Sequence, residues 1–418
     1  MTVPGAVTVG AYQLINNDSK LGYWHGPCNT LRLSGGGTTG TVDGDLQIGF
    51  GNSSNRLEVL DGAVLEANSR VCVGMVGSNY PQGLASNPCH NVFYVAPGGC
   101  VRHFTGSRSN SRNILIGDAE GATGNVLRVC GDYSIMDAKK VYSYIGVSGA
   151  ESLIDIDGGR MVVTNAAVFN FGRIVSASGC GLHITNGGYF EHYLTNGYFY
   201  LYCGYDAPNC NIKVDGSTLR LKSAAGLAAN TSVIYLGYNG QSAANASLSC
   251  VNGGLVEVGR MIVGAAAPNC MLAVTNASVR LAGALDVAYN YADPLPTNCV
   301  VSLSGTNATI VAQGTFRIRN NSRIEYSFPG EGQIASPVIA CDSLDTQYGD
   351  GLTIAIKIGK GVSRRKRTVE LVRANSNIND ATYNRLSFDL PEGVTIERTS
   401  NAIVAHVAAN SGMVISFK

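Results

Sequence analysis

The sequence has few charged residues and no apolar run long enough to cross a membrane. Asp, Glu, Lys and Arg make up 14% of its 418 residues, against about 25% in ordinary globular chains. The 30 basic and 29 acidic residues leave a net charge of +1, which argues against nucleic acid as a partner. No stretch approaches the roughly 18 apolar residues of a transmembrane helix. We therefore expect neither nucleic-acid binding nor membrane insertion.

Common catalytic and metal-binding motifs are also absent from the sequence. There is no Gly-Lys-Ser/Thr phosphate loop, no His-Glu-x-x-His and no Gly-x-Ser-x-Gly, so nucleotide hydrolysis, zinc proteolysis and serine hydrolysis have no support. The twelve cysteines form no Cys-x-x-Cys pair, which argues against a structural metal. We predict no metal and no cofactor.

A short phrase of two alternating apolar residues followed by a Gly or Asn turn recurs through most of the chain. It begins at Leu31, Leu57, Phe93, Leu127, Ile154, Leu182, Ile212, Leu248, Leu272 and Val301. The spacings run from 24 to 36 residues, too variable for a helical repeat of fixed length. A coil of three short strands and three turns fits, since its loops can differ in length without disturbing the stack. The 52 glycines suit such turns.

The sequence therefore predicts an all-β, right-handed, single-stranded parallel β-helix of about ten coils, with three strands per coil. We place the β-helix at residues 28–338, an N-terminal cap at 1–27 and a C-terminal antiparallel β cap at 339–418. The repeated phrase is lost after residue 338, and an open solenoid end needs a cover for its strand edges and core.

Two columns of side chains test this winding, because equivalent residues of adjacent coils should lie about 4.8 Å apart. Two positions before each phrase stand Asn29, Asn55, Asn91, Asn125, Ser152, Cys180, Cys210, Ala246, Cys270 and Cys299. Stacked Asn side chains can bond from coil to coil. The Cys pairs 180/210 and 270/299 should be neighbours, either as free stacked thiols or as disulfides.

The second column alternates in charge, which favours in-register stacking of adjacent strands. Its members are Glu66, Arg102, Met136, Val163, Glu191, Arg220, Glu257 and Arg280.

Two sets of outward residues are functional candidates. The first strands carry stacked polar groups, at Arg128, Asp155, Asp157, His183, Lys213 and Asp215. Carboxylates beside basic groups could cleave a polysaccharide by acid/base chemistry, or could simply form a cross-strand ladder. Tyrosines gather in the sixth repeat, and Tyr189, Tyr193, Tyr198 and Tyr200 are our glycan-contact candidates, with strand packing as the alternative.

The repeated apolar-x-apolar-x-Asn/Asp-Gly-Gly phrase, with the closing segments Leu390-Pro-Glu-Gly-Val and Asn401-Ala-Ile-Val, resembles bacterial surface or secreted proteins with passenger-type, autotransporter-like parallel β-helix repeats. The resemblance covers residues 28–418. It implies a secreted or surface-displayed rod used in adhesion, matrix or assembly.

Two functional hypotheses follow. The first is a non-enzymatic extracellular or cell-surface rod with a structural or adhesive role, self-assembling as a homo-oligomer or filament, or bound to a cell-surface glycan. Its leader is expected to have been removed. The second is a carbohydrate-active β-helix, a polysaccharide lyase, glycoside hydrolase or phage tailspike-like protein. We favour the first, because the polar patch is also explained as a ladder.

Overall fold

The chain winds through three long β-sheets, called here sheets A, B and C, of 14, 15 and 12 strands. The structure is a computed structural model that describes residues 6–9, 13–16, 19–21, 28–75, 88–104, 114–118, 121–136, 144–147, 149–224, 228, 231–289, 296–319, 321–329, 334–347, 351–359 and 366–409. Successive strands along the chain visit A, B and C in turn.

Sheet A contains Ala6–Val9, Thr30–Ser34, Arg56–Leu60, Val92–Val95, Val126–Val129, Leu153–Asp157, Gly181–Thr185, Asn211–Asp215, Ser247–Val251, Met271–Thr275, Val300–Ser304, Arg323–Phe328, Leu352–Ile358 and Leu386–Asp389. Sheet B contains Gln13–Asn16, Thr39–Val42, Val64–Ala67, Cys100–Phe104, Asp132–Met136, Arg160–Thr164, Tyr189–Leu194, Thr218–Ser223, Leu255–Val258, Ser278–Leu281, Thr309–Ala312, Ile339–Cys341, Arg367–Ala374, Ala402–Val407 and Val394–Arg398. Sheet C contains Ser19–Leu21, Leu46–Phe50, Val71–Met75, Ile114–Asp118, Tyr144–Val147, Val168–Phe171, Phe199–Cys203, Ser232–Leu236, Arg260–Val263, Leu285–Val287, Thr315–Ile318 and Ser343–Asp345. The described helices are short, an α-helix at Asp380–Tyr383 and a 3₁₀ turn at Gln241–Ala243.

Neighbouring strands within each sheet are parallel and come from consecutive coils, except in the last three strands of sheet B. Leu182, for example, pairs with Ile154 on one side and Ile212 on the other, and all three open the repeated phrase. The predicted parallel β-helix with three strands per coil is confirmed.

The number of coils and the N-terminal boundary differ from the prediction. Twelve complete coils, numbered 1 to 12 in chain order, contain a strand of every sheet. The described strands Ala6–Val9, Gln13–Asn16 and Ser19–Leu21 do not belong to a separate cap, because they pair in parallel with coil 2. The other residues of the predicted cap at 1–27 lie outside the described part of the chain. Coil 12, at 323–345, also lacks the phrase. Short extended stretches suffice for this pairing, and the Gly or Asn turn that defines the phrase is not needed.

The predicted antiparallel cap over 339–418 is also too long. Parallel pairing continues through Leu352–Ile358 and Leu386–Asp389 in sheet A, and the last three residues of Arg367–Ala374 pair in parallel with Ile339–Cys341. Among the described residues, antiparallel pairing joins only Arg367–Ala374, Ala402–Val407 and Val394–Arg398. The end of the predicted cap, residues 410–418, lies outside the described part of the chain. Loss of the repeated phrase had suggested antiparallel pairing, but the phrase is not needed for strands to pair in parallel.

One continuous hydrophobic core fills the interior of the coils, because strands such as Leu153–Asp157 and Asn211–Asp215 alternate inward and outward side chains. The aromatic part of the core includes Phe169, Phe190 and Phe199, whose rings meet edge to face at 5.5 and 5.6 Å between centroids. The His192 ring lies parallel to that of Phe199 at 3.7 Å. The interior is therefore solid packing and leaves no pore along the axis of these coils.

Two histidines are fully buried in this core. His103 Nε2 bonds the Ser69 carbonyl at 2.5 Å, and the Tyr133 hydroxyl lies 3.2 Å from its Nδ1. His192 Nε2 bonds the Ala166 carbonyl at 3.0 Å, while its Nδ1 has no partner. Burial lowers the pKa of His103 to about 4 and that of His192 to about 3. Both rings are consequently neutral at physiological pH.

The predicted asparagine column is present and buried. Asn29 donates from Nδ2 to Asn55 Oδ1 at 3.0 Å, Asn55 to Asn91 at 3.1 Å, and Asn91 to Asn125 at 3.0 Å. Each acceptor oxygen also accepts the backbone N–H of the asparagine in the preceding coil, at 2.9 to 3.2 Å. Asn125 N–H then bonds Ser152 Oγ at 3.1 Å. This column therefore satisfies buried donors across five coils.

The cysteine column continues the asparagine column, at the same position just before the sheet A strands of later coils. Cys180 Sγ lies 3.4 Å from Cys210 Sγ, and Cys270 and Cys299 also contact through their thiols. All four are buried free thiols, which is the first of the two predicted states. Glycines with positive φ end the third strands beside this column. A Cβ on Gly172 would lie 2.5 Å from Cys210 Sγ, and one on Gly237 would lie 2.4 Å from Cys270 Sγ.

Candidate functional site

The candidate catalytic residues lie on the outer face of sheet A. Arg128 pairs with Asp155, Asp155 with His183, and His183 with Lys213, so the predicted column is confirmed. Asp157 pairs with Thr185, and this threonine separates it from Asp215 in the neighbouring column. The fold therefore assembles all six candidates on one face.

Each of these side chains has a partner within the ladder. Arg128 Nη2 lies 2.7 Å from Asp155 Oδ2, and Lys213 Nζ lies 3.1 Å from Asp215 Oδ2. His183 Nε2 bonds Asn211 Oδ1 at 2.6 Å. Turn asparagines bond one oxygen each of Asp157 and Asp215, Asn186 to Asp157 Oδ1 at 2.6 Å and Asn252 to Asp215 Oδ1 at 2.8 Å. Ladder bonding thus accounts for all six candidates.

The pKa shifts fit a ladder better than an acid catalyst. Hydrogen bonds from Asn252 and Lys213 lower the pKa of Asp215. Burial works against the charge of Arg128, but the hydrogen bond and charge of Asp155 outweigh it and raise the pKa of Arg128. A general acid acting near neutral pH needs a carboxyl whose pKa is raised, and Asp215 is shifted in the opposite direction.

The alternating charge column lies on the outer face of sheet B. The pairs Glu66 with Arg102, Glu191 with Arg220 and Glu257 with Arg280 are in register as predicted, and Arg220 also pairs with Glu257. The middle of the column was predicted wrongly, since its members are Ser134 and Val162 instead of Met136 and Val163. In these two coils the turn between the sheet A strand and the sheet B strand is shorter than we assumed, so the residue in the column comes earlier in the sequence.

Only one of the ion pairs in this column is short. Arg220 Nε lies 2.5 Å from Glu257 Oε2. Burial alone would lower the pKa of Arg220, but the hydrogen bond and the charge of Glu257 outweigh burial and raise it. Arg102 to Glu66 measures 3.3 Å and Arg280 to Glu257 3.6 Å. Such long exposed pairs contribute little to stability.

The candidate tyrosines do not form one cluster. Tyr189 and Tyr193 belong to sheet B, while Tyr198 and Tyr200 lie at sheet C. The Tyr189 ring lies 5.8 Å from the Arg160 guanidinium, and its hydroxyl bonds Glu191. The Tyr198 and Tyr200 rings are parallel, 6.2 Å apart between centroids. Tyr198 is 59% exposed.

A tyrosine cluster on the outer face of sheet C was missed in part. Tyr202 and Tyr235 stack at 5.0 Å, and Tyr238 lies 4.5 Å from Tyr202. With Ile262 and their neighbours they form a second hydrophobic cluster, separate from the core. Aligning the closing strands Phe199–Cys203 and Ser232–Leu236 would have revealed it, because Tyr202 and Tyr235 are direct register partners.

A buried charge cluster follows further along sheet C. Asp286 is 0% exposed, and its oxygens lie 2.7 Å from Arg260 Nε and 2.9 Å from Arg317 Nη1. The Tyr289 ring lies between Arg260 and Arg319, at 5.1 and 4.8 Å from their guanidinium carbons. No sequence motif marks Asp286, since only the register of sheet C brings the two arginines to it.

Within the described residues, no group of three or more His, Cys, Asp or Glu side chains could hold a metal ion. The same residues form no helix with the length and apolarity that crossing a bilayer requires.

Comparison with known proteins adds no family to this description. No protein-family model matches the chain, and no curated protein matches its sequence.

Proposed function

We propose that this protein is a non-enzymatic extracellular or cell-surface rod with a structural or adhesive role. The observation that carries the proposal is the state of the sheet A ladder. Its acidic and basic groups bond one another and the turn asparagines on the face of a sheet. A side chain held in this way stabilises the stacking of coils. The pKa of Asp215 is lowered by its hydrogen bonds, whereas a general acid needs a raised one.

The rest of the molecule supports the same proposal. The solid core, the buried asparagine column and twelve parallel coils make an elongated and rigid body. A body of this kind separates its two ends by a fixed distance and offers long faces for repeated contacts. The resemblance of the repeats to autotransporter-like passengers agrees with secretion or surface display.

The proposal is tested by assembly and adhesion together. Purified protein is examined by multi-angle light scattering and negative-stain electron microscopy, and its binding to bacterial or host cell surfaces is measured by flow cytometry. We expect rods that associate in an ordered way or adhere to cells. A monomer that neither assembles nor binds any surface would contradict the proposal.

Carbohydrate cleavage remains the second candidate, because Asp155, His183 and Lys213 do lie in one column. Incubation with a panel of acidic and neutral polysaccharides, read as new reducing ends and as unsaturated products at 235 nm, distinguishes the two. Cleavage that disappears in the Asp155→Asn, Asp157→Asn double variant would establish the enzyme. The ladder predicts no cleavage by either protein.

A further inference from the structure

A groove lies on the outer face of sheet B, where the strands of coils 8 to 11 end. Its volume is about 430 Å³, within the range of about 300 to 1,000 Å³ that is usual for ligand sites. Gly259 and Ala282 are among its lining residues, and Lys222 and Gln313, which have longer side chains, lie in the coils before and after them along the rod. Backbone bonds from Ala282 to Val258 and from Gln313 to Leu281 keep these residues in one column. The groove therefore runs along the rod axis.

Basic groups dominate the charge of the groove. Glu257 is already held by Arg220 at 2.5 Å, so its contact with Arg280 at 3.6 Å is a secondary one. Lys222 reaches Glu191 only at 3.9 Å. The side chains of Arg280 and Lys222 are 62% and 48% exposed. Because exposed, long ion pairs are weak, a ligand anion can replace them at small cost.

Exposed apolar side chains line the groove and continue from it toward the N-terminal coils. Seven large hydrophobic residues are exposed in the described part of the chain, and four of them, Phe104, Met136, Tyr193 and Val311, point outward from sheet B. Tyr193 is the register neighbour of Lys222, and Val311 lines the groove itself. Concentration of apolar area on one face marks an interaction surface.

The backbone here favours a saccharide over a peptide. Strands of coils 8 to 11 pair with a coil on each side, so they offer no free edge to which a peptide strand could add. Recognition must come from side chains. Glu257, Gln313 and Ser223 supply hydroxyl-binding groups, and a tyrosine ring supplies an apolar face for a sugar.

We propose that this groove binds a carboxylate-bearing oligosaccharide along the rod axis. Lys222 and Arg280, two coils and about 10 Å apart, bind two of its carboxylates. Glu257 and Gln313 accept and donate to its hydroxyls, and Tyr193 packs against a sugar face at the end of the groove. The inference rests on the adhesive role proposed above, for which it names a ligand class.

The test is calorimetric titration with oligogalacturonate of four to six units, at low and at physiological salt. We expect binding that weakens as salt rises. The Lys222→Gln, Arg280→Gln double variant should bind at least about tenfold more weakly, because it removes both charge-assisted contacts to the carboxylates of the ligand. Ala282→Trp, an exposed position, should block the groove without changing its charge.

A matched control removes the same charge elsewhere. Arg32→Gln with Lys357→Gln changes two exposed cations of sheet A and should bind as the parent does. Circular dichroism spectra confirm that each variant is folded.

The possible outcomes separate this proposal from the broader one. No binding, binding unaffected by Ala282→Trp, or equal loss in the control would overturn the groove assignment, as would a preference for a poly-glutamate peptide. If cell adhesion or assembly persists in the groove variants while oligogalacturonate binding is absent, only the groove proposal fails.

Discussion

The two core histidines should make stability depend on pH in a window where few other groups titrate. Protonating His192 would place an N–H at Nδ1, which has no acceptor, and protonating His103 would remove the acceptor of the Tyr133 hydroxyl. Their folded-state pKa values are about 4 and about 3, against 6.5 in the unfolded chain. Between these values the unfolded state binds more protons, so the free energy of unfolding falls as the pH falls below 6.5.

The magnitude follows from the width of that window. Lowering the pH from 7.5 to 5.0 should cost about 2 kcal/mol for each histidine and about 4 kcal/mol for the pair, at about 1.4 kcal/mol per pKa unit. The carboxylates Asp45, Glu58 and Asp215, whose pKa values are lowered, begin to contribute only at lower pH. The loss above pH 5 is therefore assigned to the histidines.

Urea unfolding at pH 7.5 and 5.0, followed by far-ultraviolet circular dichroism, measures this loss. His192→Gln keeps a donor for the Ala166 carbonyl but cannot titrate, and should reduce the pH-dependent loss by about half. His406→Gln, which changes a partly exposed histidine of the last strand, is the matched control and should keep most of it. An identical pH dependence in parent and His192→Gln would refute the assignment.

Three further predictions concern individual contacts. Asp286→Ala leaves two arginines around a buried site and should cost about 3 to 5 kcal/mol in urea unfolding; a loss below about 1 kcal/mol would contradict burial of the pair. Asn91→Ala removes the acceptor of two buried donors of Asn55 and should cost about 2 to 4 kcal/mol, whereas Asn239→Ala, which removes an exposed hydrogen bond to Asp206, should cost less than about 1 kcal/mol. Mild oxidation with oxidised glutathione under partly denaturing conditions should join Cys180 to Cys210, seen as a loss of 2 Da and one cross-linked peptide, and Cys180→Ser should abolish that product; recovery of both thiols unlinked would contradict the stacking distance.

Most of the fold could be predicted from the sequence because a solenoid repeats its local rules. Alternation of apolar residues determined which side chains face inward, and the columns of Asn, Cys and charge determined the register. What failed was the boundary of the repeat, since coils 1 and 12 pair through the backbone without the phrase. Strand direction in the C-terminal part depends on long-range connections that local sequence does not encode.

A candidate site could be predicted from the sequence only where all of its residues occupy repeated positions of the phrase. The sheet A ladder followed from the phrase itself. The sheet B groove depends on small residues, Gly259 and Ala282, placed between larger ones in other coils. Asp286 depends on arginines of the coils before and after it. Predicting the groove and the Asp286 cluster requires the register of the sheet B and sheet C strands. The first residue of these strands shifts with the length of the preceding turn.

The alternation of charge on sheet B restricts how this rod could change length in evolution. Glu191, Arg220, Glu257 and Arg280 belong to consecutive coils. Deleting the coil of Arg220 alone would set Glu191 directly against Glu257, and two like charges on adjacent strands repel. Removing two adjacent coils restores opposite neighbours. In this region we therefore expect coils to be gained or lost two at a time. Related proteins should then differ in rod length by multiples of about 10 Å, the height of two coils.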